Sequence, residues 1–150
     1  MKKIASFTVD HTVLEPGIYV SRVDGDITTY DLRTRKPNTD SLMDHSTMHT
    51  FEHLFATFVR NSEISDDVIY FGPMGCQTGF YLLIRNAENN KVLDVVKSVL
   101  KNINEYDGEV FGNSPVECGN YRTLNLEKAK VESKNYLEVL NASEQTFIYR

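Results

Sequence analysis

Two histidines and a glutamate share the stretch HTFEH, residues 49–53, in a chain that holds four histidines in all. On a helix of 3.6 residues per turn, His49 and His53 lie one above the other on the same side. Two imidazoles so placed can share a divalent cation. The glutamate before the second ring completes the string H-x-x-E-H, a known metal-helix pattern. The two cysteines, Cys76 and Cys118, each sit in a glycine-containing loop where a ligand can be presented. Two imidazoles and one thiolate form a tetrahedral site whose fourth position is open to water or substrate. Either cysteine could supply that thiolate. The other is then a free thiol near a metal, and Glu52 a general base.

The same residues admit two other arrangements. His49, His53, Cys76 and Cys118 together supply the four ligands of a closed, structural zinc site. A peptidase of the inverzincin type would use Glu52 to activate water, but it needs an acidic third ligand, which nothing in the sequence marks.

The elements that must position these groups are legible in the pattern. Phe51, Leu54, Phe55, Phe58 and Val59 recur at helical spacing, so residues 46–60 read as a helix with the histidines opposite its buried stripe. Ser46 is the expected N-cap, which leaves His45 outside the regular helix and makes it a non-ligand. GIYVSRV and DITTYDLRT flank Asp24-Gly25, a hairpin signal. Residues 66–72 and 79–85 are two more strands, joined by the turn-rich GPMGCQTG that carries Cys76, and residues 6–10 read as a short strand. A second helix is expected near 89–104, with Val92, Val95, Val96, Val99 and Ile103 inward. A third is expected near 126–140, with Ala129, Tyr136, Leu137 and Leu140 inward. Residues 108–120 form a long loop with Cys118 near its end. Strands early and helices late predict an α+β domain, a mostly antiparallel sheet with helices packed on one face.

Composition narrows the partners. The 150 residues predict one domain, residues 1–150, with 41% apolar and 25% charged residues as in an ordinary globular protein. A net charge of −5 argues against nucleic acid or an anionic membrane as the main partner. No apolar run approaches the ~20 residues of a membrane span. The opening MKKIASFTVDHT lacks the apolar core of a signal peptide, so a cytoplasmic location with reduced cysteines is expected.

Five strings in order resemble one family over nearly the whole chain: SF-x-V-D-H-T (residues 6–12), YDLR-x-x-KPN (30–38), HTFEHLFA (49–56), GPMGCQTGFY (72–81) and ECGNY (117–121). The family is S-ribosylhomocysteine lyase, the LuxS family of autoinducer-2 synthesis. The resemblance implies that His49, His53 and Cys118 bind the metal, which is Fe²⁺ with Zn²⁺ or Co²⁺ able to replace it. It implies that Cys76 is the catalytic thiolate, outside the metal shell, and Glu52 a general acid/base. Ser6, His11 and Arg33 match positions that bind or polarise the substrate. It further implies a homodimer with active sites at the interface, each using residues of both chains. The implied reaction moves the carbonyl of S-ribosyl-L-homocysteine from C1 to C3 and eliminates L-homocysteine, leaving 4,5-dihydroxy-2,3-pentanedione. The chain departs from the family in reading Tyr70-Phe71-Gly72 where many members read Asp-Ile-Ser, which removes a carboxylate near Cys76. Gln77 stands where arginine is frequent. The final NASEQTFIYR lies outside the resemblance.

Overall fold

In the computed structural model, which describes residues 1–149, Gly25 sits at φ +61°, a conformation that glycine takes freely. It turns the chain into a tight hairpin. Strand β1 (Gly17–Asp24) and strand β2 (Ile27–Arg33) run antiparallel on either side, with Asp24 opposite Ile27. Strands β3 (Val68–Pro73) and β4 (Gly79–Arg85) form a second hairpin, and β4 pairs with β2. The result is one antiparallel sheet in the order β1-β2-β4-β3. Each outer strand carries a bulge, between Val20 and Arg22 in β1 and between Val68 and Tyr70 in β3.

Helix α1 (His45–Val59) packs on β3, on α2 (Asn89–Glu105) and on α3 (Leu126–Ala142), and α3 reaches across to β1. The expected α+β architecture, with the helices on one face, is what the chain adopts. Of the stripe predicted on α1, Phe51, Leu54, Phe55 and Val59 are buried and Phe58 is half-buried. Tyr30 and Leu32 of β2, Phe80 and Leu82 of β4, and Phe51, Leu54 and Phe55 of α1 are fully buried together. All five valine and isoleucine positions predicted inward on α2 are buried. On α3, Ala129, Tyr136 and Leu140 are buried, whereas Leu137 is only half-buried. Glu132 is buried there unexpectedly, paired with Arg35 from the segment after β2.

Two expectations fail at the boundaries. Residues 6–10 are not a strand: Ala5–Phe7 is a 3-10 turn. Local side-chain bonds capture this polar segment. The Thr8 hydroxyl donates to the Ala5 carbonyl at 2.7 Å, and Asp10 accepts from the Thr12 amide at 2.9 Å. The N-cap of α1 is Asp44, not Ser46. The Asp44 carboxylate accepts from the Thr47 amide at 2.7 Å, and His45 is the first helical residue. The Ser46 hydroxyl is used elsewhere, donating to the Thr123 carbonyl at 2.5 Å.

The Lys128 ammonium, 2.9 Å away, and the Thr47 donors hold the Asp44 carboxyl well below the usual carboxylate range. A folded-state pKa below the unfolded one stabilises the protein above the ordinary value of 3.8, and the contribution is lost as pH falls from there. Asp44→Ala is therefore expected to lower the unfolding free energy by about 1 kcal/mol near neutrality. In urea titrations at stepped pH, the gap between variant and wild type should close in acid.

Candidate metal centre and thiol cleft

Because α1 buries Phe51 and Phe55, its opposite side carries His49, Glu52 and His53, all half-buried, and both histidines meet the loop that follows α2. Four contacts pin that loop. Phe111 packs edge-on to Phe58 of α1, ring centroids 5.4 Å apart, and against Tyr106 at 4.9 Å. Ser46 donates to the Thr123 carbonyl, and the Asn125 amide donates to the Thr50 hydroxyl at 2.8 Å. The loop thereby delivers Cys118 to the helix. One ligand atom from each of His49, His53 and Cys118 lies within 4.8 Å of the others. The rings of His49 and His53 stand at 90° to each other, 4.6 Å between centroids.

Hydrogen bonds fix how both rings are protonated. His53 Nδ1 is 2.7 Å from the Phe111 carbonyl, which can only accept. His49 Nδ1 is 2.8 Å from the Thr123 hydroxyl, whose own proton goes to the Asn120 carbonyl at 3.1 Å. Both rings therefore carry hydrogen on Nδ1, and in its neutral form each has its lone pair on Nε2, the tautomer a metal needs. His49 Nε2 is 3.4 Å from Cys118 Sγ, and that sulfur also accepts from the Asn120 amide. Burial, with the repulsion that His53 and His45 exert when protonated, lowers the His49 pKa and so favours the neutral ring that can bind metal. Two neutral imidazoles and a cysteine are the donor set of an open tetrahedral site. Burial raises the pKa of Glu52, against the opposing pull of His53, which suits a proton-shuttling acid. His45 begins α1 with its ring 5.2 Å from that of His49, yet it is no part of the ligand group.

The remaining candidates gather at a second place, on the sheet face away from the helices. Ser6, His11, Arg33 and Cys76 line one cleft of about 380 Å³ together with Met74 and Tyr81. The β3–β4 turn presents Cys76, which is exposed. The turn is shaped by Gln77 at φ +63° and anchored by the Gln77 side chain donating to the Met43 carbonyl. Arg33 Nη1 donates to the Thr78 hydroxyl at 2.8 Å and lies 3.8 Å from Cys76 Sγ. Since Thr78 accepts from Arg33, its own proton is available to the sulfur, 3.0 Å away. Arg33 is only 3% exposed. Burial works against its charge, but Asp31 beside it more than compensates, and its pKa is raised. His11 Nδ1 is held by the Val9 carbonyl at 2.9 Å, leaving Nε2 free, and Ser6 lines the same cleft as Tyr81.

The expected site residues are thus brought together as two groups. Among the described residues no hydrogen bond and no shared cleft joins His49, Glu52, His53 and Cys118 to Ser6, His11, Arg33 and Cys76. Cys76 is not in the ligand group, so the chain does not by itself assemble the four-ligand structural site, and no acidic residue joins the trio as a peptidase would need. Sequence reasoning missed Thr78, Asp31, Tyr81 and Thr123. A signal for Asp31 existed: it alternates with buried Tyr30 and Leu32, two residues from a residue of opposite charge on the same strand face.

Gly112 permits the close approach of the loop to His53. It sits at φ +74°, and a Cβ there would lie 3.1 Å from His53 Nδ1. Gly112→Ala should displace the Phe111 carbonyl and free the His53 ring. An affinity loss of about 10–100-fold for Zn²⁺ is expected, as for other losses of a ligand's hydrogen-bond partner, read by competition with a chromophoric chelator.

The profile of a family described as S-ribosylhomocysteinase (LuxS) matches residues 4–147. Similar proteins named S-ribosylhomocysteine lyase include one from Borreliella afzelii (strain PKo), 46% identical over 147 residues that cover 94% of both chains. Another, from Finegoldia magna, is 47% identical over 146 residues, covering 94% of this chain and 93% of its own. A third, from Clostridium beijerinckii, is 43% identical over 157 residues, 99% of both chains. With the H-x-x-E-H helix and both cysteines in place, the chain belongs to the S-ribosylhomocysteinase (LuxS) family.

Proposed function

We infer that this chain is an S-ribosylhomocysteine lyase. As a single domain it cleaves the thioether of S-ribosyl-L-homocysteine to L-homocysteine and 4,5-dihydroxy-2,3-pentanedione, the autoinducer-2 precursor. The observation that carries this reading is the trio His49, His53 and Cys118, with both rings locked in the metal-binding tautomer and Glu52 beside them. The trio would hold Fe²⁺, with Zn²⁺ or Co²⁺ able to replace it. Such a cation supplies Lewis-acid polarisation of the sugar's oxygens.

The protein's own groups then move the protons. Cys76, as thiolate, takes a proton from one sugar carbon and returns it to the next, twice, so that the carbonyl passes from C1 to C3. Arg33 and Thr78 stabilise the sulfur's negative charge at 3.8 and 3.0 Å. Glu52 carries protons between neighbouring oxygens, a role its raised pKa supports. Ser6 and the free Nε2 of His11 bind the sugar in the cleft. A base of the site, Cys76 or Glu52, takes the C4 proton, now next to the ketone, and the C5–S bond breaks to release homocysteine thiolate. The enol left behind gives its hydroxyl proton to the thiolate and receives the base's proton at C5, which yields the product diketone.

The reading also includes a homodimer in which one protomer's metal group faces its partner's thiol cleft. Its support is the separation of the two groups within one chain, and the exposure of Phe7, at 69%, in the thiol cleft and of Ile4 and Tyr70, at 58% and 51%, in the adjoining cleft that shares Ser6 and Tyr81 with it. The location follows the same reading and is cytoplasmic. No helix among the described residues is long and apolar enough to cross a membrane.

The test is thiol release. Fe²⁺-loaded protein given S-ribosylhomocysteine under argon should liberate homocysteine, followed with a thiol reagent. Cys76→Ala should release none while keeping its metal. A fully metallated wild type that releases nothing would sink the lyase reading, and metal loss in the variant would revive the four-ligand site. Light scattering should give twice the 17.2 kDa chain mass; a monomer would rule out the shared active site.

A further inference from the structure

The segment after α3 carries none of the five sequence strings, though the family profile reaches residue 147, and it is built into the sheet. The Gln145 side-chain oxygen accepts from the Ile18 amide at 3.2 Å. Phe147 forms a parallel bridge with Tyr19, its carbonyl accepts from the Val20 amide at 2.8 Å, and its buried ring meets Tyr30 edge-on. It does so at φ +65°, a left-handed conformation that a bulky residue holds only when its surroundings impose it. Two residues on, the Tyr149 ring stacks on Tyr19 with centroids 4.9 Å apart, and its phenol donates to Asp31 Oδ2 at 2.6 Å.

Asp31 is 1% exposed and faces the same side of the sheet as Arg33. Its two oxygens take the Arg33 fork, from Nε at 3.1 Å and from Nη2 at 2.6 Å. Arg33 is left with Nη1, the nitrogen that reaches Thr78 and Cys76. The planar guanidinium transmits any rotation of the carboxylate directly to Nη1. Of the groups that hold Asp31, the Tyr149 phenol is the one that comes from outside the sheet. Burial and the Asp31 charge push the Tyr149 pKa up, so the phenol stays a donor.

We propose that Tyr149 is a positioning residue: through Asp31 it sets the angle of the Arg33 guanidinium and keeps Nη1 on the Cys76 sulfur. This rests on the reading of Cys76 as a working thiolate. Tyr149→Phe removes the hydroxyl alone and leaves the stacked ring and the Phe147 bridge. The variant and wild type, metal-loaded and full-length, are compared in two ways. The first is kcat and KM for S-ribosylhomocysteine. The second is the ratio of Cys76 alkylation rates with iodoacetate and with iodoacetamide, the modified cysteine identified by mass spectrometry. Only the anionic reagent feels the Arg33 charge, so the ratio reports where that charge points and does not respond to a general loss of stability.

Tyr149→Phe is expected to lower kcat by about 10-fold with KM unchanged, within the range that small misplacements cost. The ratio should fall by about half or more, as the charge moves off the sulfur. Arg33→Gln gives the floor of the ratio. An unchanged ratio, or an unchanged kcat, overturns the proposal. If wild type releases no homocysteine, the lyase reading fails and the alkylation ratio alone decides the role of Tyr149.

Discussion

The geometry of the metal group depends on how α1 is seated, and four phenylalanines seat it. Phe51 and Phe55 of the helix stack on Phe80 of β4 and Phe71 of β3, with centroids 4.7 and 4.3 Å apart, and the two strand rings stack on each other at 5.1 Å. Contacts of this kind are worth about 0.5–1.5 kcal/mol each beyond the area they bury. They also fix the helix's rotation about its own axis. A turn of one residue, ~100°, would carry His49 and His53 out from under the loop that brings Cys118.

Two different solutions to charge burial serve the two groups. At the metal end burial lowers the His49 pKa and so disfavours its charge. Each imidazole there has its Nδ1 proton committed to an acceptor on the loop, so the loop both supplies one ligand and orients the other two. At the thiol end a full ion pair is buried on the strand face away from the helices, Arg33 against Asp31. Breaking such a pair from one side is costly, about 3–5 kcal/mol, because the other charge stays behind unpaired. All three Arg33 nitrogens have partners: Nε and Nη2 face Asp31, and Nη1 faces Thr78 and the cysteine sulfur.

Much of this was legible in the sequence, and the physical reason differs by element. Both hairpins and all three helices have period and punctuation that agree with their tertiary setting, so Gly79–Arg85 and Asn89–Glu105 fall within one residue of expectation. Residues 6–10 misled because their alternation is that of a strand, while Thr8 and Asp10 hydrogen-bond locally and no sheet edge takes them up. Ser46 misled because two good caps lie two residues apart, and tertiary structure recruits its hydroxyl to Thr123. The ligand types were readable from the H-x-x-E-H spacing. The choice of Cys118 over Cys76 as the sulfur near the histidines was not readable from spacing. It is made by the long loop, whose course depends on Phe58, Tyr106 and Phe111 coming together from distant parts of the chain.

The bulges in β1 and β3 bear on how copies of this sheet can meet. An antiparallel sheet with two regular edges is a template that recruits further strands. Here each rim is interrupted by an extra residue, and the β1 rim is further occupied by the parallel bridge from Phe147. A bulge twists its strand locally and breaks the even row of donors and acceptors that an incoming strand would need. Growth by edge addition into ribbons or fibrils is thereby blocked at both rims, which leaves broad surfaces rather than rims as the place where this sheet can be met.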